Sequence, residues 1–248
     1  MTATQEALIS PTLGEPGGDN SATALFQEDW ATYRKIVDGN YLFHREAYDA
    51  LHRFLAAEAP HPFRFVDLAC GDASASAVAL RDTAVAHYRG VDTSAPALDL
   101  ARLNIGELPC PGSLEQGDFA TRLGGGELGA DVIWIGLSLH HFRTAQKLEL
   151  MHAARQALGA GGSFLIYENA SPGNETRSAW MKRWDEQRPS WRTLTDAEWE
   201  SIGAHVHACD FPETDATWHA LGTAAGFGKV LRLYICPTDL FRLYCFRT

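Results

Sequence analysis

Hydrophobic positions recur in two rhythms along this chain. Between residues 60 and 170, short apolar runs alternate with stretches whose apolar residues return every three or four positions. The runs at 63–69, 87–92, 114–118, 131–135 and 163–168 predict strands, and the stretches 74–81, 94–104 and 144–158 predict helices. Ser94 is a natural N-cap with Pro96 tolerable in the first turn, and Gly159, Gly161 and Gly162 stop the third helix. Strands that alternate with helices imply a mostly parallel sheet covered on both faces, a doubly wound α/β core.

The flanks follow other patterns. Residues 1–20 are rich in Gly, Pro, Ser and Thr without apolar period, which predicts a disordered arm. Residues 21–59 predict a helical cap: Phe26, Trp30, Tyr33 and Val37 share one face, and Phe43, Ala47, Leu51, Phe54 and Leu55 share another, with a break at Asp38-Gly39-Asn40. Within the main domain, 60–248, the segment 171–210 interrupts the alternation. It carries Trp180, Trp184, Trp191 and Trp199 and a capping box from Thr195 to Glu198, and so predicts a helical insert after the fifth strand. A helix over 215–226 and two strands at 229–236 and 241–246, turning near Pro237 and Asp239, close the chain as a hairpin.

Composition narrows the function classes. In 248 residues, 21 Lys and Arg stand against 31 Asp and Glu, a net charge of −10, and no basic run occurs, which disfavours nucleic acid and anionic membranes as partners. Five cysteines without a CxxC spacing signal neither a disulfide framework nor a zinc ribbon. The start lacks a signal-peptide pattern and no apolar run is long enough to span a bilayer, so a cytoplasmic location is expected. A homodimer is compatible with these features, which leave the oligomeric state open.

The chemistry starts at the end of the first strand. A tight turn after a buried strand exposes backbone N–H groups and a helix N-terminus to a ligand. Here Asp67 closes the strand and Gly71 follows in the turn. A dinucleotide site wants three glycines, whereas this chain offers Ala69, Gly71 and Ala73, which argues for a ligand without a pyrophosphate. Asp92, at the tip of the second strand, suits ribose hydroxyls. Asp118 after the third strand could take an adenine amino group while Phe119 packs on the ring. Any one of these acids could equally be a turn or helix-cap residue; their order and spacing make the signal.

The segments Val66-Asp-Leu-Ala-Cys-Gly-Asp72, Gly90-Val-Asp-Thr-Ser94, Gly117-Asp-Phe119, Ile135-Gly-Leu-Ser-Leu-His-His-Phe142 and Leu158-Gly-Ala-Gly-Gly-Ser-Phe-Leu-Ile-Tyr-Glu168 resemble class I, Rossmann-like S-adenosylmethionine-dependent methyltransferases of the small-molecule type. The resemblance covers roughly residues 60–248. It implies a seven-stranded sheet with an antiparallel C-terminal hairpin and bound S-adenosylmethionine. The implied cofactor residues are Asp67, Ala69, Gly71, Asp92, Thr93, Asp118, Phe119 and Leu137, with Tyr33 from the cap. The departure from the family is the single glycine of the first motif.

For the acceptor, His140 and His141 follow the fourth strand, where an imidazole could take a proton. Glu168 is the other candidate base. Packing or loop orientation is the competing role for the histidines, and a structural hydrogen-bond acceptor for Glu168. Tyr41, His44 and Arg45 of the cap, and Arg177, Trp180 and Trp184 of the insert, are expected to bind the acceptor; the aromatics could instead form the insert's own core. His205, His207, Asp210 and Glu213 match no metal signature, so no metal is expected. The expected activity is methyl transfer to O or N of a small molecule, with S-adenosylhomocysteine as product. The alternatives are a non-catalytic cofactor-binding protein and a methyltransferase acting on RNA or protein; a nucleotide-dependent oxidoreductase is weakened by the missing glycines.

Overall fold

A computed structural model describes residues 30–125 and 128–248; the arm at 1–20 and Phe26 lie outside the described residues. Two helices come first, α1 (Trp30–Asp38) and α2 (His44–Glu58). The turn between them holds Asn40 and Phe43 at positive φ, and the Asn40 side chain ties it down by accepting the Arg45 N–H and donating to Glu46.

The core then runs β1 (Phe63–Leu68), α3 (Ser74–Leu80), β2 (Val85–Asp92), α4 (Ala95–Ile105), β3 (Gly112–Gln116), α5 (Phe119–Gly124), β4 (Ala130–Gly136), a 3-10 turn (Leu139–His141), α6 (Thr144–Ala157) and β5 (Leu158–Ser171). After β5 come α7 (Arg177–Asp185), a 3-10 turn (Arg188–Ser190), α8 (Asp196–Cys209), the two-residue β6 (Glu213–Thr214), α9 (Asp215–Ala224), β7 (Lys229–Ile235) and β8 (Phe241–Arg247).

The sheet order is β3-β2-β1-β4-β5-β8-β7. β1 to β5 pair in parallel, while β8 lies antiparallel between β5 and β7. The expected seven-stranded, mostly parallel sheet with its C-terminal hairpin is therefore present. One addition was not legible: β6 pairs in parallel with the end of β5 through Ala170 and Ser171, too short a run to leave a period in the sequence. β5 is also longer than expected. It starts at Leu158, paired to Ala130, so the glycines there sit inside a strand edge rather than in a loop.

Side-chain alternation explains both cores. From β4, Val132 and Trp134 join the layer under α2 and α3, whereas Ile133 and Ile135 join the layer under α6 and α9. From β5, Leu165 and Tyr167 face the first layer, and Phe164 and Ile166 the second. Burial of such side chains is worth roughly 1.5–3 kcal/mol each, which is what holds a sheet buried on both faces. The insert packs onto the first layer through Trp180, Trp184 and Trp191. No helix among the described residues is long and apolar enough to cross a membrane.

Candidate active site

At the carboxyl ends of the strands, below α1 and beside α8, lies a cavity of about 1140 Å³. A smaller depression of about 570 Å³ sits by Arg64, His87 and Arg89. Its arginines are already paired, Arg64 with Asp131 and Arg89 with Glu115. The larger cavity is where open α/β sheets bind ligands.

Its floor is the turn after β1. Ala69, Gly71 and Ala73 all adopt the left-handed conformation, with φ of 57°, 54° and 53°. For an alanine that costs roughly 1–2 kcal/mol, so the turn must be held from outside. Asp92 does so: its carboxylate accepts the Gly71 N–H at 2.8 Å and the Ser94 N–H at 2.8 Å. Asn104 Nδ2 donates to the Asp72 carbonyl, and the Cys70 N–H to the Val91 carbonyl. No protein atom lies within 4 Å of where a Gly71 Cβ would stand, which leaves the turn open beside the cavity.

Ala69, Gly71, Asp92, Thr93, Asp118, Phe119 and Leu137 line the cavity together with Tyr33. The backbone N–H groups of Gly71, Thr93 and Ser94 hydrogen-bond the Asp92 carboxylate, which leaves it room for a ligand hydroxyl. Burial raises its pKa above the ordinary carboxylate range. Asp118 also caps α5, accepting the N–H groups of Ala120 and Thr121. Phe119 meets Phe142 edge-on at 5.7 Å. Leu137 is left-handed too, its N–H donating to the Tyr167 carbonyl. Burial, with Asp72 and Asp92 nearby, pushes the Tyr33 hydroxyl up to about 12.

Asp67 is a correction. It does not line the cavity; it is fully buried in the layer beneath, where Tyr88 donates to it at 2.8 Å and Ser76 hydrogen-bonds it. Burial pushes its carboxyl up to about 7. It supports the turn rather than touching a ligand.

At the other end of the cavity stand His140 and His141, with His44 and Asp210. Glu168 lies behind them, outside the lining. Its Oε1 accepts Ser138 N–H at 2.8 Å and Leu139 N–H at 2.6 Å, and its Oε2 accepts His140 N–H at 3.2 Å and meets His140 Nδ1 at 2.8 Å. With every lone pair engaged, Glu168 is a positioning residue and not a base. Burial disfavours an imidazolium at His140, yet Asp210 and Glu168 outweigh it and hold its pKa above the usual value. His141 goes the other way, down to about 2, through burial and the neighbouring His140 and His205. Burial likewise lowers His44 to about 4.

Several acceptor candidates stand elsewhere. Arg177 spends its guanidinium on the carbonyls of Asp210 and His207 over the Phe211 ring, outside the cavity. Trp180 is 1% exposed and donates its indole N–H to the carbonyls of Ala170 and Leu240. Tyr41 is tied to Thr193 and stacks on Trp191 at 5.0 Å, and Arg45 is exposed outside the lining. Trp184 alone of the insert set reaches the cavity wall, stacked on Trp199 at 4.4 Å. Asn169, Trp191, His205 and Asp210 line the cavity without having been expected there. Asp210 did leave a signal: an acid directly after a helix opposes the helix dipole and asks for another reason.

Comparison with known proteins bears on the fold. Residues 65–162 match the model of a methyltransferase domain family. A search of curated proteins finds no match to the sequence. Among solved structures, a S-adenosylmethionine-dependent methyltransferase from Leishmania major is 18% identical with a TM-score of 0.65, over 94% of this chain and 83% of that one. An O-methyltransferase family protein from Burkholderia thailandensis is 17% identical with a TM-score of 0.59, over 92% and 60%. PigF, crystallised with S-adenosylhomocysteine, is 14% identical with a TM-score of 0.60, over 91% and 61%. The chain thus spans about three fifths of the length of the last two. Residues 65–162 thus match a methyltransferase domain, and the chain shares the fold of S-adenosylmethionine-dependent methyltransferases.

Proposed function

We propose that the chain transfers the methyl group of S-adenosylmethionine to a small-molecule acceptor, at a hydroxyl or amine. The observation that carries this is the cover over the cavity. Lys35 of α1 pairs with Glu198 of α8 at 2.5 Å, Thr32 donates to the same carboxylate, and Tyr41 joins Thr193 and Trp191 across the gap. Cap and insert are thereby tied above the ligand space, which favours an acceptor small enough to be enclosed over one that must lie in an open groove.

The cofactor supplies an electrophilic methyl on a sulfonium. The residues that fit it are the 69–73 turn, Asp92 for hydroxyls, and Asp118 with Phe119 for a ring. His44, His140, His141 and Asn169 offer polar contacts to the acceptor among the apolar walls of Trp184 and Phe241. Alignment of the acceptor's lone pair with the methyl, about 3 Å away, is the main contribution such a site can make. None of the cysteines is joined in a disulfide, which fits a reducing compartment such as the cytoplasm.

The test is a screen for S-adenosylhomocysteine release across small phenols, alcohols, amines and carboxylates, with Asp92→Ala as control. Turnover of a small acceptor that the control abolishes is expected. Release only with RNA or protein present, weakening steeply with salt for the former, would replace the small-molecule reading. Tight cofactor binding without product from any acceptor would point to a non-catalytic role.

A further inference from the structure

The acceptor end holds one cluster whose geometry the methyl-transfer reading leaves unexplained. The 3-10 turn after β4 presents His140 and His141, and the end of α8 presents Asp210. Asp210 is 4% exposed, and its Oδ2 accepts the Asn169 amide at 2.8 Å. Its Oδ1 is buried with no hydrogen-bond partner, and so is Nδ1 of His141. That oxygen lies 3.6 Å from His141 Nδ1 and 3.8 Å from His140 Nε2, and the three atoms all fall within 4.8 Å of one another. A buried acceptor without a donor costs roughly 1–3 kcal/mol. Two unpartnered buried atoms, with His140 Nε2 facing them just beyond hydrogen-bond range, describe a gap with a purpose.

We propose that His140 Nε2, His141 Nδ1 and Asp210 Oδ1 bind one first-row divalent cation of the zinc type. Zinc bonds to nitrogen and oxygen measure about 2.0–2.2 Å, so the ligand atoms of a tetrahedral site stand roughly 3.4 Å apart. The two separations from Asp210 Oδ1, 3.6 Å and 3.8 Å, exceed this by only a few tenths of an ångström. Two imidazoles and one carboxylate suit zinc and its neighbours, whereas calcium and magnesium prefer oxygen ligands throughout.

The outer contacts are those a metal site needs. Glu168 meets Nδ1 of His140 at 2.8 Å, which commits that nitrogen and turns Nε2 outward as the ligand. Asn169 fixes the Asp210 carboxylate, and the Cys209 backbone hydrogen-bonds the His141 ring. The nearest ammonium, Lys147, is paired with Glu213 at 2.9 Å. Three protein ligands leave a coordination position open, and all three residues line the cavity. A hydroxyl acceptor could place its oxygen there. That role rests on the methyl-transfer reading, whereas the ion site stands on its own donors.

The full chain, stripped with a chelator and desalted, should be titrated with Zn²⁺ alone by calorimetry, and with Co²⁺ followed by visible absorption. One equivalent is expected to bind, with the intense absorption of four-coordinate cobalt. His141→Ala and Asp210→Asn, each checked for its fold by circular dichroism, should weaken binding at least tenfold. No binding, or binding equally tight in both variants, overturns the proposal. If Asp210→Asn fails to fold, His141→Ala decides alone, because its ring is partly exposed and its Nδ1 holds no native hydrogen bond. S-adenosylhomocysteine binding by the same metal-free protein is measured separately: its loss would sink the cofactor reading while leaving the ion titration to stand or fall by itself.

Discussion

The two ends of the cavity are built by different means. The cofactor end is made of backbone: a turn with three left-handed residues, two strand tips, and one carboxylate reaching 21 residues back to grip Gly71. The opposite end, where we propose the acceptor binds, is made of side chains drawn from far apart. Glu168 orients His140 across 28 residues, Asn169 holds Asp210 across 41, and Tyr41 meets Thr193 across 152. Backbone turns at strand ends can be specified by short motifs, whereas a converging side-chain cluster needs the whole topology.

The sharpest way to break this contrast is at Glu168. If it organises the acceptor end from behind, Glu168→Gln opposes an amide to N–H groups it now accepts, and stability should fall by roughly 3–5 kcal/mol. Denaturant unfolding measures this, and an unchanged midpoint would mean the carboxylate is not the organiser. The cofactor end should respond to Asp92→Ala by losing affinity together with some stability, because the same carboxylate braces the 69–73 turn. Two or more hydrogen bonds to a charged group, at about 1.5–3 kcal/mol each, predict at least a hundredfold weaker S-adenosylhomocysteine binding by calorimetry.

A smaller effect separates Asp67 from the ligand-facing acids. Its folded pKa is raised to about 7 from an ordinary 3.8, so between those values the native state holds a proton that the unfolded chain has released. The stability tied to that proton is fully present below pH 3.8 and lost as pH rises through 7. Asp67→Asn should therefore melt above the parent protein at pH 8, with the margin vanishing towards pH 4. A margin that grows on acidification would contradict the buried, protonated state.

The smallest effect tests the turn itself. Left-handed alanines cost roughly 1–2 kcal/mol each, partly offset by the entropy that glycine adds to the unfolded chain. Replacing Ala69 and Ala73 with glycine together should thus stabilise the protein by about 1 kcal/mol. A lower melting temperature for the double variant would show that the alanine methyls pack better than the strain they bring.

Much of the cofactor end was legible because its determinants are local. Asp92, Asp118 and the 69–73 turn each sit where a strand period ends, and a strand end announces itself in apolar rhythm. Asp67 was misjudged for the same reason: it shares the strand end but points to the buried side, where Tyr88 and Ser76 meet it. In the insert, the tryptophan spacing marked a helix face without saying what the face covers. Trp180 turned inward to the ends of β5 and β8, Trp184 reached the cavity wall, and Arg177 was consumed by the carbonyls at the end of α8.

Periodicity and turn chemistry therefore determined, from the chain alone, the α/β alternation, the positions of the turns and a ligand without a pyrophosphate, since each depends on residues a few positions apart; the class of cofactor came from the resemblance of those motifs to a family. The tertiary structure alone decided the cover made by Glu198 and Tyr41, the buried support by Asp67 and Glu168, and the convergence of His140, His141 and Asp210. Those depend on which faces meet when distant segments pack, and no local pattern encodes that.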